Sequence, residues 1–217
     1  MKASSLRWGL ILSWGGFALA MFGLTIYRTL RASAGDTAKA ALLLSIFLGA
    51  LGVAVLLVVI VYRRAAATAR GLLAALEGKH PGRAFAVFKT IRLQDDIDTL
   101  PLSLKGDVWD KRTLYAVLTL DSESMTFWDG SATKPVMTAR LDTSELQSID
   151  PADDAALIFN AKALTLSVLH NAVTLRVTVA PAQTGDWIFL PTPDSFALLE
   201  TALTTSRADQ PTTQDNS

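Results

Sequence analysis

The chain has 217 residues, half of them hydrophobic, with 20 Lys plus Arg balanced by 20 Asp plus Glu and no cysteine. Lack of cysteine excludes disulfides, thiolate metal sites and cysteine nucleophiles. The zero net charge hides a division: residues 1–83 carry ten basic side chains against two acidic, residues 84–217 ten against eighteen. An acidic second part of about 120 residues is enough for one core, and it is a poor partner for nucleic acid or an anionic lipid surface.

The first elements are two apolar runs, Trp8–Tyr27 and Ala41–Tyr62, with no charged residue inside either. A bilayer's hydrocarbon core is crossed by a helix of roughly 20 residues, so both runs predict transmembrane helices. The second holds fifteen Leu, Ile, Val and Phe residues, each contributing about −0.3 to −0.6 kcal/mol to insertion. Trp8, Tyr27 and Tyr62 lie at span ends, where amphipathic rings sit at headgroup level. Lys2 and Arg7 precede the first span, and Arg63, Arg64 and Arg70 follow the second; Arg28, Arg31 and Lys39 lie between them. The positive-inside rule turns that bias into both termini on the cytoplasmic side of the cell (inner) membrane. Lys2, Arg7 and Ala18-Leu19-Ala20 also fit a signal peptide, but the apolar run continues to Tyr27 without a polar stretch. Under either reading the second span returns the chain to the cytosol.

Small residues recur along the first span at Gly9, Ser13, Gly16, Ala20 and Gly23, and along the second at Ala41, Ser45, Gly49 and Gly52. Such seams let helix backbones approach closely, within the hairpin, between copies, or against a partner subunit. No ionisable residue lies inside either span, which argues against an ion path or transport site. Residues 63–82 continue as a helix former-rich stretch that ends at Gly78 and His80-Pro81-Gly82. There Arg63, Arg64 and Arg70 are candidates for headgroup contact, beside their ordinary role as positive flanks.

From Ala84 the period falls to two. Leu114–Leu120, Leu164–Val168 and Val173–Val179 alternate as half-buried strands, with His170-Asn171 at a hairpin turn. Met125–Trp128 and Val136–Leu141 extend the meander around turns at Asp121–Ser124 and Asp129-Gly130. Further strand candidates are Phe85–Leu93, Leu102–Val108, Ala156–Phe159 and Trp187–Leu190. Thr192 then caps a closing helix with Pro193 in its first position and Phe196, Leu199 and Leu203 on one face. The organisation expected is a transmembrane hairpin over 1–62, a juxtamembrane helix and linker over 63–82, a mostly-β barrel or sandwich over 83–206, and a polar disordered tail over 207–217.

That order, with Lys105-Gly106, Trp109, Lys111-Arg112, Val117-Leu118 and Met125-Thr126-Phe127-Trp128, resembles the pleckstrin-homology-like (PH-like) fold of bacterial membrane-anchored proteins. The resemblance implies seven strands closed by a C-terminal helix. In that family a basic loop between the first two strands holds inositol phosphates. Here Gly106 and Trp109 are three apart, which leaves no room for such a loop, and the closing helix lacks the family's usual tryptophan.

No catalytic motif is present: no G-x-S-x-G, phosphate-cradling glycine loop, dinucleotide fingerprint or H-E-x-x-H. His80 and His170 are the two histidines, too few for a metal triad. Asp95-Asp96-Ile97-Asp98 and Asp150-Pro151-Ala152-Asp153-Asp154 lack the frame of a calcium loop and read as solvated loops. The expectation is therefore a non-catalytic, membrane-anchored binding or scaffolding protein without cofactor or metal. Its partners would be the lipid bilayer and an unidentified cytosolic protein, with a homo-oligomer also compatible. An accessory subunit of a membrane complex is the alternative, and an enzyme acting at the membrane a third.

Overall fold

The computed structural model describes residues 37–109, 113–156, 159–182 and 192–208, with Thr25, Arg28 and Arg31 as further helical residues. The chain divides into two compact units, 1–61 and 62–217. Helix α1 (Thr37–Glu77) contributes to both. Within the first unit its residues Leu42, Ile46, Leu48, Leu51, Val55 and Leu57 are all exposed, and it is long and apolar enough to cross a membrane. Among the described residues it is the one helix of that kind. The expected first span, 8–27, with Gly9, Ser13, Gly16, Ala20 and Gly23, lies outside the described residues, as do 209–217.

The second unit is built on seven antiparallel strands: β1 (Ala84–Phe88), β2 (Tyr115–Leu120), β3 (Ser124–Ser131), β4 (Lys134–Asp142), β5 (Leu146–Ala156), β6 (Phe159–His170) and β7 (Val173–Pro181). Their order is β4-β3-β2-β1-β7-β6-β5. Two meanders are thus joined where β1 meets β7, through the pairs Val87↔Pro181 and Phe88↔Ala180 and the Ala182 N–H donating to Ala86 O at 2.9 Å. The β6–β7 turn is the tight pair Asn171-Ala172, both at positive φ (49° and 64°), as a two-residue hairpin loop requires.

Period-two alternation sends Ala116, Leu118, Leu120, Met125, Phe127, Leu141, Leu164, Leu166, Val177 and Val179 into one core. Helix α3 (Pro193–Ala208) adds Leu199 and Leu203 to it. The Ser195 backbone N–H donates to Thr192 Oγ1 at 3.2 Å, closing the expected cap. The opposite face of β1, β2 and β7 is also buried, because the α1 segment after Tyr62 lies on it. Ala66 and Ala69 meet Phe88, Tyr115, Ala163 and Ala180, and Leu72 and Leu76 meet Val117. Small alanines let the helix approach a strand face that already carries two aromatic rings. Segment 63–82, expected as juxtamembrane helix and linker, is therefore helix up to Glu77 and structural in the domain.

Besides the turn expected at Asp129-Gly130, which lies inside β3 and pairs with Val136 and Pro135, four expectations need correction. The strand expected over Phe85–Leu93 stops at Phe88; Thr90 then caps helix α2 (Ile91–Thr99), its hydroxyl accepting from Leu93 N at 3.0 Å. Asp95, Asp96 and Asp98 consequently sit on a helix, whose Leu93 and Ile97 are buried. Leu102–Val108 forms turns with a single bridge, Lys105↔Ala139. Here Gly106 N–H donates to Thr138 O at 3.0 Å and Asp107 N–H to Met137 O at 2.9 Å. A Cβ on Gly106 would lie 2.1 Å from Met137 O, so only glycine fits. The third correction is to the loop argument: Gly106 and Trp109 belong to a connection of 26 residues, 89–114, between β1 and β2, so length does not forbid a large loop there. Finally, Asp150–Asp154 lies inside β5, an end strand of the sheet. Proline and carboxylates on an end strand discourage pairing with another chain. Trp187–Leu190, Lys111 and Arg112 lie outside the described residues.

Candidate functional site

Two polar clusters hold the long β1–β2 connection. At its neck Lys89 Nζ donates to Asp129 Oδ2 at 2.7 Å, with the two side chains 0% and 3% exposed. Thr113, at the far end of the connection, bonds Lys89 and donates to Asp129 Oδ1 at 2.9 Å. Lys89 N–H donates to Leu114 O at 3.0 Å. The ammonium also lies 4.6 Å from the centre of the Trp109 ring, a cation–π contact in a water-free setting. Asp129, at the end of β3, thus clips both ends of the connection together. Its role is structural, since both charges are sealed from solvent.

The second cluster is at the surface. His170, the last residue of β6, presents Nδ1 to Glu145 Oε2 at 3.0 Å and Oε1 at 3.2 Å. Glu145 is placed by the 3-10 turn Thr143–Glu145, whose N-cap Asp142 accepts the Ser144 N–H at Oδ1, 2.8 Å away. Leu146↔Val168 pairing then sets that turn beside the end of β6. On the other side of the ring, Asn171 Nδ2 lies 3.0 Å and Ser103 Oγ 3.4 Å from Nε2. Nδ1 faces an acceptor, so it carries the proton. In the neutral ring Nε2 has one lone pair, for which the amide and the hydroxyl compete. Ser103 sits in a turn closed by Leu104 N–H to Pro101 O at 3.0 Å. A hydroxyl, an imidazole, a carboxylate and an amide from three loops therefore converge.

His80, the other histidine, pairs Nδ1 with Asp121 Oδ1 at 2.7 Å. Close by, an open cleft of about 240 Å³ is lined by Gly82, Arg83, Leu120, Ser122, Ala202, Thr205 and Ser206. Among the described residues no group of three His, Asp or Glu side chains could hold a metal ion.

The residues singled out from sequence are scattered. Arg63 and Arg64 are exposed and Arg70 is half-buried. Ala41, Ser45, Gly49 and Gly52 are exposed on α1, and nothing described lies within 4 Å of a Cβ built on either glycine. Ser103 and Glu145 were not singled out. They are 67 and 25 residues from His170, and no local motif marks them. Compared with known proteins, the chain matches no protein family, no curated protein and no solved structure.

Proposed function

We propose that this chain is a membrane-anchored binding and scaffolding protein that holds a PH-like domain at the cytoplasmic face of the inner membrane. The observation that carries this reading is the pairing of an unburied apolar helix segment with a self-contained antiparallel sheet unit. A seven-strand order that opens between β4 and β5 and is joined through β1 and β7, with a C-terminal helix, supports the PH-like assignment. The hairpin of spans 8–27 and 41–62 with both termini inside follows from the charge of the flanks. Tethering raises the domain's effective concentration for anything else held at the same surface.

The docking mode is strand addition. From Val173 to Val177, β7 has β6 on one side and no described strand on the other. Val173, Thr174 and Arg176 there are exposed, so an extended segment of a cytosolic partner can add to the edge. The test is cross-linking and affinity capture of the full chain from native membranes in mild detergent, beside an Arg176→Pro variant. Proline removes the N–H that an added strand needs. A reproducible partner lost in the variant supports the proposal; no reproducible partner from the wild type overturns it. No described residue comes within 4 Å of a Cβ on Gly49 or Gly52, which supports one second reading, an accessory subunit of a membrane complex. Replacing Gly16 and Gly49 by Leu would then split an assembly on a native gel.

A further inference from the structure

We infer that the Ser103–His170–Glu145–Asn171 cluster is an acyl-transfer site acting on carboxylic esters with an apolar acyl group. A serine becomes a nucleophile when a base within hydrogen-bond reach takes its proton and a third group orients that base. Ser103 Oγ at 3.4 Å from His170 Nε2, and Glu145 at 3.0 Å from Nδ1, supply those roles. Such contacts are often long in the absence of substrate and tighten in the reacting complex. Glu145 is a positioning residue that fixes the tautomer with Nε2 free to accept. Asn171 Nδ2, 3.0 Å from that same nitrogen, occupies the lone pair that must take the serine proton; it has to swing off Nε2 as Ser103 closes, and once displaced it is an N–H donor next to the reacting centre, a role that side-chain amides can fill.

The chemistry balances with water as the one co-reactant. Ser103 Oγ attacks the ester carbonyl carbon while its proton passes to His170 Nε2, and the carbonyl oxygen becomes an oxyanion facing Asn171. Collapse breaks the carbon–oxygen bond to the alcohol, which leaves with the proton from Nε2. Water then attacks the acyl-serine, again giving its proton to His170, and the carboxylic acid departs as Ser103 is restored. The surroundings indicate the substrate class. Leu102, next to Ser103, is 88% exposed, and Val173, cross-strand partner of His170, is 58% exposed. Both are apolar side chains next to the hydroxyl–imidazole pair, one in sequence and one in register, and an apolar acyl chain could cover them.

The test uses the purified full chain in detergent micelles with a fluorophosphonate probe, followed by peptide mass spectrometry, and separately with p-nitrophenyl butyrate. The probe is expected on Ser103 and absent from Ser103→Ala. Labelling should slow about 10²-fold in His170→Gln. Butyrate hydrolysis should fall about 10²-fold in Asn171→Ala, as when one oxyanion donor is removed. Glu145→Gln should slow labelling and Glu145→Asp restore part of it, which a merely structural contact would not do. Should His170→Gln lower the melting midpoint, the exposed-side Glu145 pair supplies the same comparison. Labelling of Ser103 no faster than of exposed Ser144, or equal rates in wild type and the histidine and glutamate variants, overturns the inference.

Discussion

Asp96 shows how one side chain substitutes for a missing strand. Its Oδ2 accepts the backbone N–H of Thr178 at 2.8 Å, on the side of β7 away from β6. Burial raises its pKa above the ordinary aspartate value, outweighing the lowering by the Thr178 hydrogen bonds and Arg92. A folded pKa above the unfolded one gives stability that is full below the unfolded value and lost as pH rises through the folded value. Ionised Asp96 is thus a net cost at pH 7. Asp96→Asn keeps an acceptor without the charge, so its melting midpoint at pH 7 should equal or exceed that of wild type, with the advantage shrinking on titration toward pH 3. Asp96→Ala leaves the buried Thr178 N–H unsatisfied and should cost about 1–3 kcal/mol at either pH. Lys89 shows the opposite economy, because its charge is answered in full. Lys89→Met strands the Asp129 carboxylate in the interior and should cost about 3–5 kcal/mol in denaturant titration, part of which Asp129→Leu in the same chain recovers.

Among the elements, the α1 segment after Tyr62 has the widest consequence. Without it Phe88, Tyr115 and Val117 would face water from one side of the sheet, an apolar patch of the kind that drives aggregation. A chain beginning at Tyr62 should therefore be monomeric and cooperative in thermal melting, whereas one beginning at Arg83 should aggregate or melt without a sharp transition. Size-exclusion chromatography of the two separates these outcomes. This packing also explains what the sequence did and did not disclose. Strands β2, β3, β4, β6 and β7 and the closing helix were legible because one face of each is apolar at a clear period. Helix α2 was not: six of its nine residues, Arg92, Gln94, Asp95, Asp96, Asp98 and Thr99, are charged or polar, and just two side chains reach the core. β5 was hidden by the proline and carboxylates that suit an end strand. The Ser103 cluster was invisible for another reason: its members are ordinary residues that only the register of β5, β6 and β7 brings together.

At the scale of the whole molecule, the decisive quantity is the apolar surface that α1 leaves uncovered before Tyr62. Leu42, Leu48, Leu51, Val53, Val55, Leu56 and Leu57 are each about half or more exposed, and soluble chains rarely display such a stretch. Under the proposed anchoring, lipid would be the solvent that removes it from water, and it would demand no partner for a backbone already bonded within a helix. Whether and how many times the chain crosses is open to a direct measurement, because a cysteine-free sequence gives every introduced thiol a clean signal. Single cysteines at Ser4, Ser33 and Thr201 would be treated in whole cells with a membrane-impermeant maleimide. The proposed hairpin predicts labelling at Ser33 alone, with Ser4 and Thr201 reacting only after permeabilisation. A single crossing by α1 with the same cytoplasmic domain predicts that Ser4 reacts from outside as well. Labelling of Thr201 in intact cells would place the sheet domain, and with it the proposed scaffold, on the far side of the membrane.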